Sequence, residues 1–367
     1  MSAFAQRADR LAALVEEQGL DLLLVSNIVN VRYITGFGGT NAACLVGRGR
    51  RVFLTDFRYV ERAEREVPDY DRVRGRDDLL ESVAELARDS RAEGSSEAVR
   101  LGFDDAHLTV RAHAKLAAHA GEAVELVPAS GLVERLRAVK DAQEIAAIRH
   151  SADLADELYR WLISDFGLAG HTERAVAQAL ERRAQDLGAD GLSFPPIVAA
   201  AANGALPHAE PRENFEIPRD TLVVVDLGCV RASYCSDCTR TFATGEIDSE
   251  ARETYELVRS AQEAALAVTR AGADVREVDR AARGPIEAAG RGEQFGHGLG
   301  HGVGLEVHEA PRLAPSGSGR LEPGNVVTVE PGVYVPGRFG VRIEDLVVVE
   351  EGEPQVLTSI PKDLLTV

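Results

Sequence analysis

Between Gly296 and Glu309 the chain reads GHGLGHGVGLEVHE. Gly-His-Gly-x-Gly occurs twice there, overlapping at Gly300, and a third histidine, His308, follows. Three of the chain's nine histidines thus fall in one short segment. Imidazole is the commonest metal-binding side chain and the usual proton-transfer group near neutral pH. Glycines beside it let the backbone approach a metal or substrate where a Cβ would intrude. Spacing alone leaves open which of His297, His301 and His308 would touch a metal, and what the other two would do.

Carboxylates form a second pattern. TLVVVDLG (221–228) and NVVTVEPG (325–332) are apolar, strand-like runs that end in an acid and a glycine, Asp226 in one and Glu330 in the other. After a turn-rich interval each is followed by a second strand candidate with its own acid: SYCSDCTRTFA with Asp237, and GVRIEDLVVV with Glu344. Such runs read as strands covered on both faces, so two hairpins would each carry two acids into an apolar interior. Burying ionised carboxylates costs several kcal/mol (about that, per ion), and converging carboxylates raise one another's pKa. One such acid could simply pair with Arg240 or Arg342. Two acidic hairpins and a histidine cluster together point instead to a divalent cation. Oxygen-rich ligation suits hard or borderline ions such as Mn²⁺. Two ions about 3.5–4 Å apart could share carboxylates and activate a water for amide or ester hydrolysis.

The elements that must position these residues can be read in outline. The N-terminal third alternates helix and strand signals: an amphipathic helix, then the strand candidates DLLLVSN, AACLVG and RRVFLTD. DDLLESVAELARDSRA and TVRAHAKLAAHAG have helical spacing of apolar positions, with RLGFDD and VELVPAS as further strands. This predicts an α/β domain over residues 1–130. Near Gly131 the alternation gives way to one long charged helical stretch, GLVERLRAVKDAQEIAAIRHSADLADELYRWLISDF. Another amphipathic helix follows, with Thr172 as its N-terminal signal. The rest of a second domain, 131–367, consists of β-branched runs with helical inserts near 248–269 and 275–289.

Composition bounds the function. The 367 residues are 45% hydrophobic and 27% charged, enough for two cores. A formal charge of -18 argues against nucleic acid and anionic membrane as partners. The N-terminal segment lacks the apolar core of a signal peptide, and no apolar run is long enough to span a bilayer. Four sparse cysteines, Cys44, Cys229, Cys235 and Cys238, fit free thiols in a reducing cytoplasm. Cys235 and Cys238 form a C-x-x-C without a second pair, which reads as two thiols lining a strand rather than a zinc or redox site.

DLG…SYCSDCTRTF, GHGLGHGVGLEVHEAP, TVEPGVY and GVRIEDLVVV resemble, in order and spacing, the motifs of the pita-bread metallopeptidases. The similarity runs from about Leu136 to Val349 and is greatest to the proline-specific branch, aminopeptidase P and prolidase. The N-terminal NVRYITGFGGTNAACLV…FLTDFRYVERA resembles the N-terminal domain of bacterial Xaa-Pro peptidases. The resemblance implies an α/β N-terminal domain followed by an α+β pita-bread catalytic domain with pseudo-twofold symmetry. It also implies roles. Asp226 would be a bidentate ligand of one metal, Asp237 and Glu344 the bridging carboxylates, and Glu330 a ligand that also passes a proton to the leaving amine. The liganding histidine of the family stands seven residues before that of the His-Glu pair, which selects His301. His297 would then line the pocket, and His308 would hydrogen-bond the substrate. His208, in NGALPHAEP, resembles a substrate-binding loop histidine; without the resemblance it would read as a solvated side chain. Tyr334 and Arg342 match pocket positions, Arg342 as the partner of a ligand carboxylate.

The expected protein is a cytoplasmic, homodimeric peptidase with two divalent ions per chain, Mn²⁺ first, with Co²⁺, Fe²⁺ or Zn²⁺ as alternatives. Its substrates would be peptides with proline in the second position. The N-terminal pattern inclines the reading to an aminopeptidase accepting longer peptides, with a prolidase restricted to dipeptides as the alternative. A dipeptidase needs a cation for the prolyl carboxylate, and Arg312 and Arg320 are candidates, although either could be a solvated loop charge. A creatinase-like amidinohydrolase or an inactive binding module would lack the ligand set found here.

Overall fold

A computed structural model describes residues 2–76, 78–91 and 96–367. The chain divides into two compact units, Met1–Arg137 and Ala138–Val367. No helix among the described residues is long and apolar enough to cross a membrane.

The first unit opens with α1 (Ala3–Glu17), capped by the Ser2 hydroxyl on the Ala5 N–H. Ala8, Leu11 and Val15, spaced along one face, are buried. The chain continues through β1 (Leu22–Val25), α2 (Ile28–Thr35), β2 (Ala42–Gly47), β3 (Arg50–Thr55), α3 (Val60–Glu66), β4 (Asp71–Arg74), α4 (Leu79–Arg88), β5 (Val99–Phe103), α5 (Val110–Ala120) and β6 (Val124–Pro128). These strands form one sheet in the order β4-β3-β2-β1-β5-β6. The β1–β2 and β2–β3 pairs are antiparallel and the others parallel. β1 and β2 are buried along their whole length, which is why they read as unbroken apolar runs.

The long charged stretch is two helices rather than one: α6 (Leu132–Ala138) and α7 (Ala142–Trp161). The break is a capping box. Asp141 accepts from the N–H groups of Gln143 and Glu144, and the Glu144 carboxylate returns to the Asp141 N–H. This satisfies donors that a continuous helix would have used differently. α8 (Glu173–Asp186) starts at the expected Thr172 cap, whose hydroxyl accepts from Ala175.

The second unit repeats one arrangement, two helices followed by a strand set. After α7 and α8 come β7 (Gly191–Leu192), β8 (Ile197–Ala200), β9 (Leu222–Leu227), β10 (Cys229–Arg231), β11 (Tyr234–Cys235) and β12 (Cys238–Ala243). After α9 (Ser249–Leu266) and α10 (Val275–Ala288) come β13 (Gly300–Gly302), β14 (Glu309–Leu313), β15 (Val326–Val329), β16 (Gly332–Val335), β17 (Phe339–Arg342), β18 (Asp345–Val348) and β19 (Gln355–Val356). Two of its sheets run β12-β9-β8 and β14-β13-β15-β18-β19. The tail returns to β12, where Ala243 donates to Leu365 and receives from Val367.

The acid-bearing strands are interrupted where the chemistry sits. Asp237 lies between β11 and β12, and Glu344 between β17 and β18, each where the chain passes from one sheet to another. Glu330 immediately follows β15, and only Asp226 lies within a strand, β9. The expected second strand of each hairpin is thus two strands with an acid at the junction.

Candidate metal centre

Carboxylate oxygens of Asp226, Asp237 and Glu344 all lie within 4.8 Å of one another, and the three residues are buried. β9 and β12 bring in the first two, because their pairing sets Asp226 directly opposite Thr239, two residues beyond Asp237. Glu344 joins them through two hydrogen bonds to the same threonine: its N–H donates to the Thr239 carbonyl at 3.1 Å, and its Oε2 accepts from the Thr239 hydroxyl at 2.8 Å. His301 completes the cluster, with Nε2 at 3.2 Å from Glu330 Oε1 and 3.7 Å from Asp237 Oδ2. Its Nδ1 faces the Gly302 carbonyl at 3.1 Å. A carbonyl only accepts, so Nδ1 carries the proton there and Nε2 is directed at the carboxylates. The five residues singled out as ligands therefore converge.

The electrostatics describe a site short of positive charge. Burial, then the charges of Glu344, Asp226 and Glu330, push Asp237 well above the carboxylate range. Burial and its acidic neighbours do the same to Glu344, and burial raises Asp226 against the pull of Arg342. Glu330 goes the other way. Burial opposes its ionisation, but the His301 hydrogen bond and the charges of His301, His297 and Arg342 hold it at about 2. His301 rises in return, Glu330 overcoming the effect of burial. Two buried oxygens, Asp226 Oδ1 and Glu344 Oε1, have no hydrogen-bond partner among the described residues. Leaving buried acceptors unpaired is costly. Crowded acids with orphaned oxygens and an imidazole nitrogen presented toward them fit a divalent cation.

Arg342 ties the cluster to its surroundings. Its guanidinium donates to Asp226 Oδ2 at 2.7 Å, the Thr239 hydroxyl at 2.9 Å, the Tyr334 hydroxyl at 2.8 Å and the Pro207 carbonyl at 3.1 Å. His297 stands outside the cluster, with Nε2 2.9 Å from the Tyr334 hydroxyl and Nδ1 2.7 Å from the Gly298 carbonyl. Nδ1 therefore donates, and Nε2 accepts from Tyr334. His308 is exposed and its ring centroid lies 4.3 Å from that of His301. Partial burial and then the His301 charge lower its pKa, and His208 is near enough to add to the effect. His208 itself is exposed, one residue beyond the carbonyl that Arg342 holds.

A Cβ on Gly300 would strike the Thr328 carbonyl, and one on Gly302 the Ala310 carbonyl. The neighbouring strands packed against His301 therefore already require glycine at both positions. β13 and β14 set His301 opposite Arg312, across an irregularity at Gly302. Directly opposed residues share a face of the sheet, so the exposed Arg312 rises on the side of the ligand histidine. Arg320 instead donates to the Gly272 carbonyl at 2.6 Å, and its backbone pairs with Asp274 in a single antiparallel β-bridge. Cys235 and Cys238 are buried and form no disulfide, as is true of Cys44 and Cys229, and burial pushes the Cys229 thiol up to about 12. Thr239 and Glu309 lie inside the quoted motifs, but their roles appear only in the structure. Glu309 forms a buried pair with Lys140 at 3.3 Å, directly after His308.

Residues 146–351 match metallopeptidase family M24, and residues 7–139 match the creatinase/prolidase N-terminal domain. An Xaa-Pro dipeptidase from Bacillus anthracis superposes with a TM-score of 0.92 at 38% identity, over 99% of this chain and all of that one. An X-Pro aminopeptidase from Thermotoga maritima superposes with a TM-score of 0.86 at 32% identity, over 98% of this chain and all of that one. The Xaa-Pro dipeptidase of Pyrococcus furiosus is 30% identical over 363 residues, 98% of this chain and 99% of its own. With the family's acidic cluster assembled in the catalytic unit and its N-terminal domain ahead of it, the chain belongs to metallopeptidase family M24, in its Xaa-Pro branch, and is a metallo-exopeptidase.

Proposed function

We propose that this chain is an Xaa-Pro dipeptidase, holding two divalent ions, Mn²⁺ foremost, on Asp226, Asp237, His301, Glu330 and Glu344. The observation that carries the metal assignment is the convergence of these five side chains, three of them buried, with two carboxylate oxygens unpartnered among the described residues. When bound, the ions supply an activated water and polarise the scissile carbonyl. The protein's own groups do the rest. Asp237 and Glu344, at the two sheet junctions, would help hold the ions, and Asp226 is braced for the same task by Arg342. His308 and His208 flank the carbonyl from the open side and donate to the oxygen as charge develops there. Glu330, held ionised beside His301, takes a proton and returns it to the prolyl nitrogen.

The N-terminal sequence pattern inclines toward longer peptides, but two observations favour the dipeptide. Two of the three relatives above are named dipeptidases, and Arg312 stands opposite His301 with no ion pair among the described residues. A guanidinium there suits a free prolyl carboxylate. Family resemblance supports a cytoplasmic homodimer, which light scattering would check. The deciding experiment loads the protein with Mn²⁺, measures retained metal, and compares Ala-Pro, Ala-Pro-Ala and Ala-Ala-Ala. Turnover mainly of Ala-Pro is expected. Equal or better cleavage of Ala-Pro-Ala makes it an aminopeptidase, and activity indifferent to chelator overturns the metal assignment.

A further inference from the structure

Apart from the metal centre, the second unit contains a carboxylate with an unusual load. Glu173, the first residue of α8, is fully buried. Its Oε1 accepts from the Ala200 N–H and the Arg212 guanidinium, both at 2.8 Å. Its Oε2 accepts from the Asn203 amide at 2.9 Å, the Arg212 N–H at 2.8 Å and Arg212 Nε at 3.0 Å. Arg212 also donates to the Ala200 carbonyl at 3.1 Å, and its guanidinium carbon lies 3.6 Å from the centre of the Phe215 ring. Asn203 closes the ring of bonds onto the Glu210 carbonyl at 3.1 Å.

Ala200 ends β8 and Arg212 lies beyond His208, so this one carboxylate holds both ends of the segment that carries the histidine. From the opposite side Arg342, which braces Asp226, holds the Pro207 carbonyl. Beyond the short 3₁₀ helix at Ala201–Ala205 the segment has no ladder to fix it, and its backbone groups must find partners individually. At its two ends the Ala200 and Arg212 N–H groups find Glu173. A side chain carried on a loop anchored at both feet loses little freedom when substrate arrives, and that preorganisation lowers the barrier.

We propose that Glu173 is a positioning residue for the reaction: with Arg212 it clasps the 200–212 segment and thereby sets where His208 meets the substrate. The inference rests on the Xaa-Pro peptidase reading given above. The clasp acts through His208, so its removal should matter only while that histidine is present.

The test is a double-mutant cycle on the metal-loaded enzyme, comparing wild type, Glu173→Gln, His208→Ala and the double variant. Retained metal and amide hydrogen exchange over residues 200–212 are measured alongside. Glu173→Gln keeps one acceptor oxygen but loses the paired charge. It should lower kcat/KM about 10- to 100-fold, leave metal content unchanged and speed exchange in the segment. In the His208→Ala background the same change should cost less than about twofold. Equal losses in both backgrounds, loss of metal, or unchanged exchange would overturn the clasp. Arg212→Lys keeps the charge but not the fork; it should reproduce the pattern more weakly and serves if Glu173→Gln does not fold. A wild type that hydrolyses no Xaa-Pro peptide overturns the parent reading and the role of His208 with it. The exchange data then report only whether the clasp exists.

Discussion

One terminal nitrogen of Arg342 lies 2.7 Å from Oδ2 of Asp226, while Oδ1 of the same carboxylate is buried without a hydrogen-bond partner among the described residues. The arginine thus fixes one oxygen and the orientation of the group, and the other oxygen is left facing the cluster. Removing an outer partner of a metal ligand typically weakens metal binding by 10- to 100-fold, roughly. Arg342→Lys retains charge but cannot reach Asp226, Thr239, Tyr334 and Pro207 together. It should weaken Mn²⁺ by about that factor in a chelator-competition titration. An unchanged affinity would mean that Asp226 needs no brace.

The three histidines of the glycine-rich segment should separate cleanly. His301→Ala should lose metal and activity together, since Nε2 is the nitrogen presented to Glu330 and Asp237. His308→Ala should keep its metal and lose about 10²–10³ in kcat, the range for an oxyanion donor. His297→Ala should be mildest, because His297 hydrogen-bonds the Tyr334 hydroxyl rather than a ligand carboxylate and acts on Glu330 only through its charge. Metal loss in His297→Ala but not in His301→Ala would reverse the choice between the two copies of the motif.

The acid cluster makes metal stabilisation depend on pH. Asp237 and Glu344 have folded-state pKa values raised, chiefly by burial. For a raised pKa, the stabilising contribution is present below the unfolded value and disappears as pH rises through the folded one. The metal-free protein should therefore lose stability as these acids ionise, and the cation should restore it. The gap in thermal midpoint between metal-loaded and metal-free protein should widen as pH rises above the ordinary carboxylate range. A constant gap would show that these carboxylates are ionised throughout.

Much of this site was legible because its acids sit in otherwise apolar runs and its histidines among glycines. Their junction placement was not legible. Periodicity distinguishes a strand from a helix, but a run such as GVRIEDLVVV looks the same whether it stays in one sheet or crosses to another at Glu344. The α6–α7 break was concealed similarly: Asp141 and Glu144 form a recognisable box, yet charged helical sequence surrounds them on both sides. Glu173 read only as part of a helix start, and Thr239 as a strand residue. Their partners, Arg212 and Glu344, are distant in sequence and meet them only through the fold.

A buried pair elsewhere in the second unit should govern stability. Arg240 and Asp345 meet at 2.8 Å, each about 2% exposed at the side chain, and Asp345 also accepts from Lys362, Gln262 and Thr358. Arg240 further donates to the carbonyls of Ile360 and Pro361, joining β12 to the C-terminal segment. Breaking a buried pair by removing one partner costs about 3–5 kcal/mol. Arg240→Met should fall in that range by denaturant unfolding, whereas Arg338→Ala, which removes exposed bonds to Asp248 and Glu250, should leave the midpoint unchanged. Similar losses in both variants would deny Arg240 its special place.

Substrate length should turn on one of two arginines. Arg312 faces the same side of its sheet as His301, whereas Arg320 is engaged with the Gly272 carbonyl and the start of α10. A dipeptide presents a carboxylate where a longer peptide presents an amide, and a hydrogen bond to a charged group contributes about 1.5–3 kcal/mol. Arg312→Ala should therefore raise KM for Ala-Pro by roughly 10- to 100-fold. Any residual cleavage of Ala-Pro-Ala, which lacks that carboxylate, should stay the same. Arg320→Ala should change neither. If Arg312→Ala affects both peptides equally, the guanidinium supports the His301 strand rather than reading the substrate's end. The preference for dipeptides would then need another source.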